Sequence, residues 1–531
     1  MVKNDALDAH ALLVAALRDP AANPHPVGTV EVIETHISSV LLAGAYAYKL
    51  KKPVDLGFAD FSTLARRRHF CDEEIRLNRR SAPSLYLDVV PITSSPIEAK
   101  PRIGGEGTAL DYAVRMRRFA ADARLDQMAR AGTLDASLID RLAATIAAFH
   151  SHCERAPQHS AFATRETIRA WTRANFVELR RLIGDAELGQ RIDRLAQWTE
   201  VEFAHRADVF ASRRADGFVR ECHGDLHLAN VALIDGEPVP FDCIEFNPEL
   251  RFIDVISDVA FTWMDLLDHG LPQLAARLLN GYLEATGDYA GLATLRFYAV
   301  YRALVRALVA LIRRGQPDSS AATQIGLAQA CARYVAVAEG IVQVPPRRVI
   351  LVCGVAGSGK TTVAQHLFEH IGAVRVRSDV ERKRGAGLAP TDHPPEQVCA
   401  GLYDTATTRD TYERLASAIA AIVDAGFAAV VDATFQRRPD RQRFRARATS
   451  LGASFALIVC EASPETLRAR VATRAARGGD ASDATLAVLE HQLQSFEALA
   501  EDEVALAHRI DTDTDPATLA MHCQELATAL R

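Results

Sequence analysis

The sequence predicts a chain of two domains: an α+β first part, with a small strand-rich lobe followed by a larger helical one, and an α/β second part built on a parallel sheet. Three observations predict this. Short apolar runs dominate up to about residue 120, and helical periodicity takes over afterwards. Consecutive prolines, Pro345-Pro346, stop a long helical region and stiffen a connector. Beyond them strand and helix alternate (RVILVC, TTVAQHLFEH, FAAVVDAT, SFALIVC), the pattern of a sheet covered on both faces. A length of 531 residues, 49% hydrophobic and 24% charged, suits a soluble globular protein of two to four domains. The assignment is an extension at 1–24, a domain at 25–340, a linker at 341–348 and a domain at 349–531.

In the first lobe, Ser39–Leu42, Tyr46–Leu50, Leu87–Pro91 and Tyr112–Met116 read as strands, with a charged helix at about Leu64–Arg80. Leu138–His150 and Ile168–Leu182 are helical. Residues 218–246 alternate short apolar runs with turns, and 250–340 return to helix. The net charge of −6 gives no global field for nucleic acid or an anionic membrane. No apolar run approaches the roughly 18–20 residues that span a bilayer, and the N-terminus lacks the pattern of a secretory signal. The nine cysteines form no C-x-x-C pair, so no disulfide framework is expected and a cytoplasmic location is the default.

The second domain opens on Gly354-Val-Ala-Gly-Ser-Gly-Lys360-Thr361, which fits G-x-x-x-x-G-K-[ST] between a strand and a helix. Such glycines let backbone amides converge on phosphate oxygens, and the helix N-terminus adds positive potential. Gly354, Gly357, Ser358, Gly359, Lys360, Thr361 and Thr362 therefore form the expected nucleotide cradle. Lys360 reaches β/γ oxygens, and the Thr361 hydroxyl is a Mg²⁺ ligand. Asp432 ends a predicted strand, Ala428–Val431, and is a second metal candidate or a helix cap. Asp379, after a predicted strand Ala373–Val376, is either a general base for an acceptor hydroxyl or an N-cap beside a solvated basic face of Arg382 and Lys383. Arg468, Arg470, Arg474 and Arg477 make an arginine-rich helix before the stretch Gly478–Ser482. Arg470 and Arg474, at i, i+4, suit a lid closing over phosphates or a solvated face. Residues 347–531 resemble the small P-loop kinases that include gluconate kinase, polynucleotide kinase and zeta-type toxins. That resemblance implies acceptor binding at Asp379 and an arginine lid at Arg470 and Arg474.

A second cluster lies upstream. His223-Gly-Asp225-Leu-His-Leu-Ala-Asn230 precedes Val239-Pro-Phe241-Asp242, and Asp225 to Asn230 has the spacing of H-x-D-x-x-x-x-N. Phosphoryl transfer needs a carboxylate to orient the acceptor and oxygen ligands for Mg²⁺. Asp225 is the expected base; Asn230 and Asp242 are the expected metal ligands. Lys49, flanked by apolar residues in its strand, is the expected phosphate-holding lysine, with Lys51 and Lys52 facing solvent. Glu74 is the chosen partner from the run Asp72-Glu73-Glu74, and Asp258 is placed to brace the catalytic loop from behind. Residues 25–340 resemble the aminoglycoside phosphotransferase-like, or choline-kinase-like, branch of the bilobal protein-kinase fold. That resemblance makes Asp111–Phe119 the last strand running into the interlobe hinge, whose backbone would receive adenine. The order of parts is similar to bacterial bifunctional aminoglycoside phosphotransferase/P-loop ATP-binding (AAA-type) proteins.

The expectation is an ATP- and Mg²⁺-dependent kinase with two sites, each phosphorylating a hydroxyl of a small, sugar- or metabolite-like molecule. The alternatives are an ATP-binding regulator with one silent domain, and a nucleic-acid end kinase using the basic stretch Arg437–Arg447.

Overall fold

The structure is a computed structural model that describes residues 2–57, 59–94, 100–315, 320–390, 392, 404–477, 482 and 484–530. The chain forms two compact units. One comprises Met1–Asp265 with Tyr301–Ala336, and the other Leu266–Val300 with Val337–Arg531.

The first unit is built on a six-stranded antiparallel sheet. Its strands are β1 (Val30–Glu34), β2 (Ser38–Ala43), β3 (Tyr46–Lys51), β4 (Tyr86–Ser94), β5 (Pro101–Ile103) and β6 (Ala109–Arg117). Their order is β1-β2-β3-β6-β4-β5. β3 lies in the interior of the sheet, and both its faces are covered. Tyr48 and Leu50 join a cluster with Leu17, Leu41 and Ile92. Ala47, on the opposite face, packs with Cys71 and Ile75 of the helix Leu64–Asn78. Side chains alternate along a strand, so Lys49 and Lys51 share the face of Ala47, beneath that helix. Thr63 caps the helix, its hydroxyl accepting the Arg66 N–H at 3.2 Å.

The helical part of this unit follows, including Ala136–His152, Arg165–Leu182, Ala186–His205 and Val255–Asp268. Among these lie two strand pairs: β7 (Val219–Glu221) with β10 (Phe252–Asp254), and the hairpin of β8 (Val231–Ile234) with β9 (Glu237–Pro240). Asp235 and Gly236, both at positive φ, make the hairpin turn, as an Asp-Gly pair commonly does. Its register, Val231 opposite Pro240, brings Asn230 and Asp242 to the same open end.

In the second unit five parallel strands run in the order β12-β13-β11-β14-β15. They are β11 (Arg348–Cys353), β12 (Val374–Arg377), β13 (Ala429–Asp432), β14 (Ser454–Glu461) and β15 (Ala507–Asp511). β11, the most apolar in sequence, lies at the centre, and Val349 through Cys353 are fully buried. The helix Pro272–Thr286, well before the proline joint, belongs to this unit. Its Ala276 sits in one core cluster with Ile350, Leu367, Phe368 and Val430.

The helix Ala321–Val342 is long and apolar enough to cross a membrane by length and composition alone, although Gln324, Gln329, Arg333 and Glu339 interrupt its apolar residues. Its Cys331, Tyr334, Val335, Ala338 and Ile341 are nonetheless buried in the protein. The described cysteines are free and buried.

Candidate functional sites

In the first unit, the loop between β7 and β8 carries the H-x-D-x-x-x-x-N residues, and one helix face holds it. Asp258, Thr262 and Asp265 follow one another at i, i+4 and i+7 on Val255–Asp268, which places all three on one side. The Asp258 carboxylate accepts the amides of His223 at 2.7 Å and Gly224 at 2.9 Å, with His150 Nε2 at 3.4 Å. Thr262 Oγ1 donates to Leu226 O at 2.6 Å, and Asp265 accepts the Leu228 amide at 2.9 Å. Asp258 is completely buried. Burial pushes its carboxyl up, and the hydrogen bond and charge of His150 more than offset this, leaving it below the ordinary carboxylate range. The ligand-type atoms of His150, Cys222 and Asp258 lie within 4.8 Å of one another. Both Asp258 oxygens are already engaged by loop amides, so the trio is a brace. Gly224 has φ +86°, and a Cβ there would stand 2.7 Å from Leu250 O, so no other residue fits without a shift.

This bracing aims Asp225 and Asn230. Asn230 Nδ2 donates to Asp225 Oδ2 and to Asp225 O, each at 3.0 Å, leaving its Oδ1 for another partner. His223 Nδ1 accepts the Asp225 amide at 3.3 Å, so its Nε2 carries the proton donated to Phe241 O at 2.9 Å. Burial lowers the His223 pKa, in keeping with this neutral tautomer. The sequence reading assigned no role to His227 or Arg306. His227 Nδ1 accepts the Ala229 amide at 3.2 Å, and its Nε2 lies 3.4 Å from Asp225 Oδ2 and 3.2 Å from Arg306 Nη1. Burial pushes the Asp225 carboxyl up, but His227 and Arg306 hold it well below the usual carboxylate range. The only sequence signal for His227 was its position two residues beyond Asp225.

The lysine side is an alternating chain of charges, Glu245, Lys51, Glu74, Lys49 and Asp242, of which the first four are buried and Asp242 is partly exposed. Glu74 receives Lys49 Nζ on one oxygen at 2.8 Å and Lys51 Nζ on the other at 2.7 Å. Lys49 also contacts Asp242, and Lys51 contacts Glu245. The expectation that Lys51 faces solvent is corrected: it is 1% exposed, because an interior strand under a helix has no solvent face. Lys52 pairs with Glu34 at 2.7 Å and is partly exposed, while Asp72 and Glu73 are taken up by Arg68 and Arg76 on the outer side of their helix. Burial alone would lower the pKa of Lys49; Asp242 and Glu74 reverse this and raise it. Asp242 has φ +67°, and its amide donates to Tyr86 Oη at 3.0 Å. Asn230 and Asp242 offer only oxygen for a cation here, the donor type that Mg²⁺ takes.

In the second unit the loop Gly354–Gly359 joins β11 to the helix Lys360–Ile371. At Gly354 (φ +146°) a Cβ would lie 2.6 Å from Cys460 O, so the tight approach of the loop to β14 requires glycine. Lys360 Nζ donates to Val355 O at 2.8 Å, and Thr361 Oγ1 donates to Asp432 Oδ2 at 2.8 Å. A hydroxyl and a carboxylate are thus paired at the carboxyl ends of β11 and β13, where such sheets bind ligands and where an oxygen-seeking cation fits. Ser358 Oγ is buried without a hydrogen-bond partner, and Thr362 is exposed.

Arg470, on the helix Pro464–Arg477, donates to Gly357 O at 3.3 Å, to Thr512 Oγ1 at 2.9 Å and to Thr512 O at 2.6 Å. It therefore braces the loop from the side. Arg474 donates to Ala484 O at 3.3 Å. Of the stretch Gly478–Ser482, residues 478–481 lie outside the described residues. Gln492 Oε1 accepts the Ala356 amide at 2.7 Å; neither it nor Thr512 carried any motif signal.

Asp379 lies in the first turn of the helix Ser378–Gly385, whose N-cap is Arg377, and pairs with Arg382 at 3.0 Å. The solvated basic face considered there is corrected: Arg382 is 9% and Lys383 2% exposed. Lys383 Nζ is held by Asp392 O at 2.7 Å.

Residues 108–298 match a family model described as Phosphotransferase enzyme family, and residues 349–499 match one described as AAA domain. The uncharacterized protein Rv2004c of Mycobacterium tuberculosis is 30% identical over 502 residues, covering 93% of this chain and 95% of that protein. The uncharacterized protein Mb2027c of Mycobacterium bovis gives the same figures, 30%, 93% and 95%. Among solved structures, a sugar kinase from Janibacter sp. is similar at 24% identity over 34% of this chain and 94% of its own, with a TM-score of 0.26. A choline/ethanolamine kinase family protein from Mesorhizobium loti is similar at 13% identity over 62% of this chain and 99% of its own, with a TM-score of 0.35.

Proposed function

The chain belongs to the family of the mycobacterial proteins Rv2004c and Mb2027c, and we propose that it transfers the γ-phosphoryl group of ATP to small-molecule hydroxyls at two separate sites. It is a kinase with two phosphotransferase-type domains. The observation that carries the proposal is the convergence on the H-x-D-x-x-x-x-N loop. Asn230 donates to Asp225, Lys49 pairs with both Glu74 and Asp242, and the Asp242 amide is held by Tyr86 Oη.

At the first site Asp225 accepts the hydrogen bond of the acceptor hydroxyl and so turns a lone pair of the hydroxyl oxygen toward the γ-phosphorus. A carboxylate held below its usual range is a weak base, so it orients first and takes the proton late. That suits the loose transition state of phosphoryl transfer. The acceptor O–P bond forms, the bond to the β-phosphate oxygen breaks, ADP leaves, and the acceptor proton passes to Asp225. Glu74 holds Lys49 in reach of the α/β-phosphates, and the backbone of the hinge that β6 runs into, at its Phe119 end, receives adenine. Asn230 and Asp242 would hold Mg²⁺, which would supply positive charge against the phosphate oxygens. At the second site the Gly354–Thr362 cradle and Lys360 hold the triphosphate, Thr361 and Asp432 the cation, and Asp379 the acceptor. Arg470 and Arg474 flank the phosphates.

The ion pairs of the Arg437–Arg447 stretch favour small molecules over nucleic acid as acceptors. Arg438 and Arg445 are tied to Asp502, Arg441 to Glu503 and Arg443 to Glu413, so these four arginines are already paired, with three carboxylates between them. A cytoplasmic setting supplies ATP and suits the free buried thiols.

The test is transfer from γ-labelled ATP into a small-molecule extract by wild type, Asp225→Asn, Lys360→Ala and the double variant. Each single variant should lose a different labelled product and the double should lose both. Products that persist in the double variant would refute the proposal.

A further inference from the structure

β12 is an edge strand, and an edge strand presents unpaired amides and carbonyls. Here a helix side chain takes the place of a neighbouring strand. Asn280, on Pro272–Thr286, accepts the Arg375 amide at 2.6 Å and donates to Ala373 O at 3.0 Å. One turn further, Glu284 spreads its carboxylate over two arginines of the same strand face. Oε2 meets Arg375 Nη2 at 2.8 Å, and Oε1 meets Arg377 Nη1 at 2.9 Å. Arg384 also donates to the Glu284 carbonyl.

The two arginines then differ. The Arg375 guanidinium lies over the Phe368 ring, 5.1 Å from its centroid, and serves the core. Arg377 stands at the carboxyl end of β12, where a parallel sheet opens to ligand. Its Nε is 3.9 Å from Asp432 Oδ2, the same oxygen that accepts the Thr361 hydroxyl. A continuous line thus runs from Glu284 through Arg377 and Asp432 to the P-loop. Burying a charged pair costs more than burying an apolar one of the same shape, so covering a sheet edge does not by itself call for Glu284 and Arg377. Burial pushes the Glu284 carboxyl up, and Arg375 and Arg377 together pull it below the usual range.

We infer that the P-loop site is completed from outside the P-loop sequence region: Glu284 is a positioning residue that aims Arg377 at the terminal phosphoryl group of the bound nucleotide. This rests on reading Gly354–Thr361 as a nucleotide cradle. A planar guanidinium suits the task because it binds phosphoryl oxygens in a forked geometry, provided something fixes its plane.

The test uses the full chain and competition of Mg·AMPPNP and Mg·ADP against a fluorescent ATP analogue; the component removed by Lys360→Ala is the P-loop site. There the wild type should prefer AMPPNP over ADP. Glu284→Gln and Arg377→Met should each lower that preference about tenfold, the effect of one charge-assisted contact, and the double variant no further. Asn280→Ala should lower the melting temperature and leave the preference intact, separating edge covering from aiming. Should Glu284→Gln fail to fold, Arg377→Met against Arg377→Lys decides, with Lys retaining part of the preference. An unchanged preference in Glu284→Gln or Arg377→Met, or losses that add in the double variant, would overturn the inference. A Lys360→Ala chain that loses no binding component would overturn the cradle reading and this inference with it.

Discussion

Replacing Glu74 by Gln tests the charge chain of the first site at its centre. The carboxylate is fully buried and divides its two oxygens between Lys49 at 2.8 Å and Lys51 at 2.7 Å. A Gln of the same shape offers one carbonyl and one NH₂, so one ammonium must face a donor. Removing one member of a buried ion pair typically costs about 3–5 kcal/mol, because the partner charge stays desolvated. Lys49 keeps Asp242 and Lys51 keeps Glu245, which sets the expectation at the low end, about 3 kcal/mol. Lys51→Met should cost less. It strands Glu245, but burial already raises that carboxyl, and a protonated Glu no longer needs a cation. The assay is urea unfolding of the full chain followed by two probes, since two compact units need not unfold together. Alongside it, the ATP KM of the transfer abolished by Asp225→Asn should rise in Glu74→Gln, while binding abolished by Lys360→Ala stays the same. A Glu74→Gln chain within about 1 kcal/mol of wild type, with normal KM, would refute the reasoning, since even a net hydrogen bond is worth that much.

Three further outcomes follow. Burial pushes the Glu221 carboxyl up, and Arg76, Arg80 and Arg251 more than offset it and lower it. Because its folded value lies below the unfolded one of about 4.3, the stability it contributes is present above that pH and lost as pH falls through the folded value. Acid unfolding of Glu221→Gln should therefore show a shallower decline below pH ~4 than wild type, and parallel curves would contradict the sign. Asp258→Asn turns an NH₂ toward one of two loop amides, so the first-site kcat should fall at least about tenfold with nucleotide affinity at the second site unchanged, as single-turnover kinetics would show. Gly224→Ala places a Cβ against Leu250 O at positive φ and should lower stability by about 1–3 kcal/mol, measured as a shift in the thermal midpoint of the first unit.

What the sequence made legible was local. Spacing alone put Asp225 and Asn230 on one loop, and the hairpin after it delivered Asp242 to the same end. The G-x-x-x-x-G-K-[ST] run read correctly between β11 and its helix because strand, glycines and helix are contiguous. Alternation placed Lys49 and Lys51 on one face, yet which face is covered depends on strand order, and that is set by β6 and the helix Leu64–Asn78 packing on β3. Arg382 and Lys383 read as solvated because a local i, i+3 pair of Arg382 with Asp379 does not show which helix face is covered, and the carbonyls of Pro390 and Asp392 that hold Lys383 are loop contacts without a pattern. The helix Pro272–Thr286 was legible as a helix and illegible as part of the P-loop unit. Its bond from Asn280 to β12 spans about 95 residues and leaves no periodic trace.

The count of nucleotides per chain bears most directly on two phosphate-gripping sites in one polypeptide. Equilibrium dialysis of labelled Mg·AMPPNP against the full chain should give two molecules bound, falling to one in Lys360→Ala. A single molecule bound to wild type, undiminished in Lys360→Ala, would contradict the account.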